Sequence, residues 1–162
     1  MQGRVGLLGL QREFVWNREG WYPPLEAALE GLTAREAAWQ PPGGGNTIWQ
    51  TLRHLNYWNE FMLHRITGSP REPERIRNDE TFGPAVDPAD EDGWRAEVAR
   101  ARDLAGRLRE AVAKLSEADL ERSLPDIGTV AESLAAWTLH DAYHTGQTIL
   151  IRKMQGSWPA KA

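Results

Sequence analysis

Residues 135–147, AAWTLHDAYHTGQ, carry two of the chain's four histidines as His140-x-x-x-His144. At roughly 100° per residue, a spacing of four sets two side chains within about 40° of each other, one turn apart on one helix face. One helix can thereby offer two imidazoles to one metal ion. Counted in both directions from His144, the same stripe collects Val130, Ser133, Trp137, His140, Thr148 and Ile151, so the face points inward. A buried imidazole needs a hydrogen bond or a metal, and a stacked pair on the core side therefore demands a partner.

Working outward, Thr129 and Glu132 form a capping box that opens this last helix, which the pattern ends near Gly156. A second capping box, Thr47 with Gln50, opens a helix that runs to about Thr67, where Gly68 and Pro70 stop it. His54 lies on it, with Trp58 at i+4 and Phe61 at i+7 on an aromatic inner stripe. His64 is rotated roughly 80° from His54 and reads as a surface or edge residue. Between these helices, Trp94, Val98, Ala101, Ala105, Leu108, Val112 and Leu115 mark a third at spacings of three and four, with charges opposite.

The remaining segments are connections or weaker helices. Apolar residues between Arg4 and Leu32 predict a first helix, kinked or broken by Pro23 and Pro24. The stretch LTAREAAWQPPGGGN excludes a regular element. Its triple glycine lacks both the preceding strand and the Lys-Ser/Thr of a phosphate loop, and reads as a connector. Residues 68–92 are charged and proline-rich, a long crossover of the kind that joins non-neighbouring ends. Residues 116–126 suggest a short helical turn ended at Pro125. No strand pattern and no repeat is present. The fold class is all-α: a four-helix bundle in one domain, residues 1–162, with a long crossover between helices two and three.

His54 lies roughly 10 Å into helix two, whereas His140 and His144 lie in the second half of helix four. The three meet only if those helices are antiparallel. A short connection makes helices three and four antiparallel, and the long crossover lets two and three run parallel. The order is then up-down-down-up, which brings the histidines to one level. We therefore read His54, His140 and His144 as metal ligands rather than hydrogen-bonded core histidines. The Pro-Gly loop 33–46, the end of the crossover and the tail around Trp158 are expected to wall the pocket mouth. Three imidazoles leave positions open for water or substrate, and they suit zinc, nickel, copper or iron.

Composition narrows the alternatives. The 162 residues carry a net charge of -4, with no basic run to hold nucleic acid or a membrane surface. The chain has no cysteine, so a transition-metal site must use His, Asp and Glu. No signal peptide or membrane-length apolar stretch is seen, and a cytoplasmic protein is expected.

The helix-two segment TIWQTLRHLNYWNEFMLHRITG with His54, and His140-Asp-Ala-Tyr-His144-Thr-Gly-Gln147 on helix four, resemble the DinB/YfiT-like superfamily of bacterial four-helix-bundle metalloproteins. The resemblance implies the up-down-down-up order, frequent homodimers, and zinc, nickel or a similar divalent ion on His54, His140 and His144. It also implies a small-molecule substrate. Some relatives are S-transferases or isomerases that use low-molecular-weight thiols, and others are metal-dependent hydrolases.

Around the ligands, Asp141 can accept a hydrogen bond from an imidazole, but its reading is a solvated carboxylate. Gln147 either lines the pocket or caps an inner polar group. Tyr57 and Tyr143 flank the ligand positions, bridging core and surface. Trp49, Trp58 and Trp137 read as packing residues. No general base stands out, Glu60 being roughly 120° from His54. An enzyme would draw on an external thiol or water as nucleophile. The competing hypothesis is a dimeric, metal-binding stress-response protein without catalysis.

Overall fold

The computed structural model describes residues 3–69 and 76–159, and within them the chain is all-α apart from one minimal hairpin. Six α-helices follow in order: α1 Arg4–Trp16, α2 Leu25–Leu29, α3 Ala34–Ala37, α4 Ile48–Thr67, α5 Glu91–Ala113 and α6 Val130–Met154. Two capping boxes open α4 and α6 where the sequence places them, at Thr47 with Gln50 and at Thr129 with Glu132. Gly68 ends α4 in the left-handed conformation, φ 66°, that a side chain would resist. Pro70 lies outside the described residues.

Three connections differ from expectation. The first helix is broken, as expected, but not at Pro23 and Pro24 themselves. It stops at Trp16, ahead of the prolines, and Gly20 then passes so close to the Phe14 ring that a Cβ there would lie 2.8 Å from it. The chain resumes helix only after Pro24, whose fixed φ suits a helix start. In the stretch read as irregular, Thr33 and Glu36 cap each other and support the single turn of α3 before the glycines begin. The short turn expected before Pro125 is a 3-10 turn, Asp119–Glu121. It leads into strands β1 Ser123–Leu124 and β2 Gly128–Thr129, which no periodicity announces. The tight turn between them follows from Pro125 and from Asp126 at φ 68°, the positive φ that its third position requires.

Packing along α4 and α5 advances in step. Trp49 tilts against Trp94 at 5.5 Å, Asn56 donates to the Glu97 carboxylate at 2.6 Å, and Arg100 meets Glu60 at 2.6 Å. Arginines tie the two ends of α6. Arg152 donates to the carbonyls of Ala28, Glu30 and Ser157, and Arg122, just before the hairpin, donates to that of Ile66.

The apolar interior falls into two clusters. One gathers Leu8, Phe61, Leu108, Leu120, Leu134 and Trp137, the other Leu25, Ile48, Trp49, Leu52, Trp94 and Ile151. Between them, at the middle of α4 and α6, lies a buried polar layer of Arg12, His54, Asn59, Asp141, His144 and Thr145. The fold thus delivers a set of polar side chains into its own centre.

Trp94 and Trp49 separate shape from hydrogen bonding. The Trp94 indole N–H donates to the Leu32 carbonyl at 2.8 Å, while that of Trp49 is buried without a partner. Trp94→Phe is expected to lose about 1–2 kcal/mol more than Trp49→Phe in urea denaturation, because only the former strands a buried acceptor. Equal losses would contradict this assignment.

Candidate metal centre

Helix α4 supplies His54, and α6 supplies His140 and His144. One ring nitrogen from each lies within 4.8 Å of the others, a group that can hold a metal ion. His54 and His144 are buried and His140 is half-buried. The Nε2 atoms of His54 and His140 face each other at 2.9 Å. His64 is not in the group; it sits half-buried near the end of α4.

The proton on each ring follows from what its Nδ1 touches. The Thr81 hydroxyl donates to the Asn78 carbonyl at 2.5 Å, so its oxygen accepts from His54 Nδ1–H, also at 2.5 Å. Asp141 Oδ1 accepts from His140 Nδ1–H at 3.0 Å. Gln147 turns its amide oxygen to His144 Nδ1–H at 2.7 Å and its NH2 to the Tyr143 hydroxyl at 2.9 Å. Three Nδ1 protons are thereby engaged, and three Nε2 lone pairs are left to converge. Such partners fix a ligand imidazole's tautomer and raise its basicity as a ligand.

Two facing lone pairs repel unless a proton or a cation lies between them. Burial, with His144 and His140 close by, pushes the His54 pKa from 6.5 down to about 3. Burial followed by His140 lowers that of His144, against the opposing pull of Gln147 and Asp141. A proton is therefore poorly held, and the donor set fits a divalent metal.

Asp141 corrects the sequence reading. It is 2% exposed, not solvated, and the imidazole it serves is that of His140. Its Oδ2 meets the Arg12 guanidinium at 2.8 Å and the Asn59 amide at 3.2 Å. Burial pushes its carboxyl up, but Arg12 and His140 outweigh this and hold it below the ordinary carboxylate range. Arg12 also donates to Asn59 at 2.9 Å and lies 3.8 Å above the Trp137 ring. Gln147 resolves as the partner of His144. Tyr57 accepts from the Ile76 N–H at 3.4 Å, and Trp49 and Trp137 are packing residues as expected.

Arg12, Asn59, Thr81 and Phe82 were not singled out from sequence. Arg12 had a signal, since it breaks the apolar spacing from Leu8 to Val15 and so demands a buried carboxylate. Thr81 and Phe82 had only the length of the crossover: the 3-10 turn Glu80–Phe82 sets Thr81 beneath His54 and stacks Phe82 on its ring at 4.0 Å.

The cleft reaching His140 has a volume of about 350 Å³ and is walled by Trp58, Phe61, Met62, Ile127 and Trp137, with Asn78 from the crossover. Neither loop 33–46 nor Trp158 lines it, contrary to expectation. Trp158 instead lies over Arg152, whose guanidinium holds the α2 end.

Fold and site define an all-α protein with a three-imidazole centre buried between two apolar clusters. The chain belongs to the DinB superfamily, whose family model matches residues 22–148. Among curated proteins, none matches it in sequence.

The lowered proton affinities predict an acid-sensitive metal-free protein. Below about pH 6.5 the unfolded chain protonates His54 and His144 while the folded chain does not, and the difference widens until the folded pKa, about 3 for His54, is reached. Stability is thus full above this window and lost as pH falls through it. In chelator-treated protein the denaturation midpoint should drop between pH 7 and pH 5, above the carboxylate range, and His54→Gln should flatten the drop. A wild-type midpoint constant over that interval would contradict the assignment.

Proposed function

We propose that the chain binds one divalent ion, zinc or nickel, through the Nε2 atoms of His54, His140 and His144, and that it is a thiol-dependent S-transferase. The observation that carries the metal reading is the convergence of three lone pairs whose opposite nitrogens are all engaged by acceptors. Membership of the DinB superfamily supports it. The reading takes the chain as one domain with its four longer helices in up-down-down-up order. That order is supported by the matched α4–α5 contacts and by Arg12 on α1 reaching Asp141 on α6.

Bound at this site, a divalent ion supplies Lewis-acid chemistry: it holds a thiol as thiolate or lowers the pKa of water. The chain's own residues do the rest. Thr81, Asp141 and Gln147 keep the three rings turned to one point. Phe82 covers one face of His54 and shields it from water. The apolar cleft beside His140 takes the body of a small-molecule substrate. The sequence holds no cysteine, so the thiol comes from a low-molecular-weight cosubstrate.

Transfer to a thiol is favoured over hydrolysis by the state of Asp141. A hydrolase needs a base to take the proton of its water. The carboxylate that touches the cluster has both oxygens committed to Arg12, Asn59 and His140.

Elemental analysis of the purified protein is expected to find near-stoichiometric zinc or nickel, lost in His54→Ala, His140→Ala and His144→Ala. The metal-loaded protein should accelerate thiol addition to electrophiles and leave an ester panel untouched. Metal that cannot be loaded at neutral pH would overturn the site. Metal with ester hydrolysis, or with no accelerated reaction, would overturn the transferase assignment alone.

A further inference from the structure

The cleft beside His140 has a sharply limited polar lining. None of the described residues around it is Lys, Arg, Asp or Glu, and its walls are the rings of Trp58, Phe61 and Trp137 with Met62 and Ile127. Trp58 is held edge-on by Tyr57 and Phe61, with ring centroids 5.2 Å and 5.4 Å away, so this wall is formed before anything binds. A charged group entering such a space would lose its hydration and meet no counter-ion. The occupant is therefore neutral and largely apolar.

Its polar end follows from the side-chain donors that remain. Ser133 donates its hydroxyl proton to the Ile127 carbonyl at 2.8 Å, and His140 commits its Nδ1–H to Asp141. The Trp137 indole N–H is buried without a partner and does not reach the open space. Asn78, exposed at the cleft edge, is different. Its Oδ1 accepts from the Trp58 indole N–H at 3.3 Å, and an indole can only donate. That contact fixes the sense of the amide. The oxygen faces Trp58, and the NH2, which has no partner among the described residues, is left to donate. The cleft thus offers a hydrogen-bond donor to an acceptor such as a carbonyl oxygen.

The backbone ties that donor to the three-histidine centre. The Asn78 carbonyl accepts from the Thr81 hydroxyl, whose oxygen accepts His54 Nδ1–H, at 2.5 Å each. One residue therefore supports the His54 ring through its main chain and faces the cleft with its side chain. An electrophile whose acceptor is conjugated with its reacting carbon would use such a donor in the reaction as well as in binding.

We infer that Asn78 is the specificity-determining residue of the site, donating through Nδ2 to the carbonyl oxygen of a neutral, apolar α,β-unsaturated ketone or aldehyde. For the reaction, though not for the binding, this rests on the transferase reading above. In the addition the thiolate sulfur bonds to the β-carbon and the double-bond pair moves toward the carbonyl oxygen. The α-carbon then takes a proton from solvent, replacing the one the thiol released. Negative charge grows on the carbonyl oxygen during the attack, so the Asn78 hydrogen bond is stronger in the transition state than before it.

The test is titration calorimetry on chelator-treated protein without thiol, so that its outcome is independent of metal and of transfer. The probes are benzylideneacetone, a phenylbutene of the same carbon skeleton that lacks the carbonyl, and cinnamate, which carries a charge at that end. Benzylideneacetone should bind about tenfold more tightly than either of the others. Asn78→Asp keeps the acceptor for Trp58 and replaces the free NH2 with an oxygen. It should weaken benzylideneacetone about tenfold and leave phenylbutene unchanged. Ala136→Trp, which fills the cleft from the exposed side of α6, should abolish binding of all three while the purified protein keeps its metal content. Equal affinity for the three probes would overturn the inference. So would no binding of benzylideneacetone, or an Asn78→Asp protein that binds it as the wild type does. The expected binding pattern in a protein without transfer activity would uphold Asn78 as the carbonyl anchor and overturn the transferase reading alone.

Discussion

One buried carboxylate, that of Asp141, ties together the elements that form the site. Its Oδ2 takes the Arg12 guanidinium from α1 and the Asn59 amide from α4, and its Oδ1 takes the His140 ring on its own helix. Removing one partner of such a pair costs about 3–5 kcal/mol, because the other charge is left unpaired in a poorly solvating interior. Replacing both with apolar residues is often neutral or better, so the pair is not explained by stability alone. What it supplies here is position. It sets where α1 lies against α6, and it turns His140 so that its Nε2 faces His54.

The same logic extends across the polar layer. Thr145 and Thr148 bond back to carbonyls one turn earlier on α6, and Asn59 does so on α4, so these three side chains find an acceptor within their own helix. The imidazoles are the exception. Each is satisfied at Nδ1 and turns Nε2 to the others, in a region flanked by apolar clusters on both sides. A layer this polar at the middle of a small core gives up hydrophobic burial, and a cation held by the three imidazoles would offset part of that loss.

Legibility in the sequence followed range. The capping boxes at Thr47 and Thr129, the helices they open, and the His140–His144 pair were readable because their geometry is set within a few residues. His54 could be joined to them through loop lengths alone. The capping box at Thr33 was equally readable, but the prolines and glycines that follow it dominated the reading. Pro125 with Asp126 likewise marks a turn, yet two-residue strands are too short to show periodicity. Asp141 was misread because an acidic side chain is ordinarily solvated; only Arg12, far away in sequence, makes its burial tolerable. Thr81 and Phe82 lie in a charged crossover where no helical or strand period operates, and their role exists only once α4 packs beneath them. The cleft misplaced at loop 33–46 and Trp158 reflects the same limit: the sequence sets the level of the histidines but not which side of that level opens.

The central claim is that the surrounding residues hold all three imidazoles in the Nδ1-protonated form, leaving three Nε2 lone pairs for one ion. Nitrogen-15 NMR of the histidine side chains in metal-free protein at neutral pH reads the tautomers directly. The account predicts a protonated Nδ1 and a bare Nε2 at His54, His140 and His144 alike. A proton on Nε2 of any of the three would contradict it.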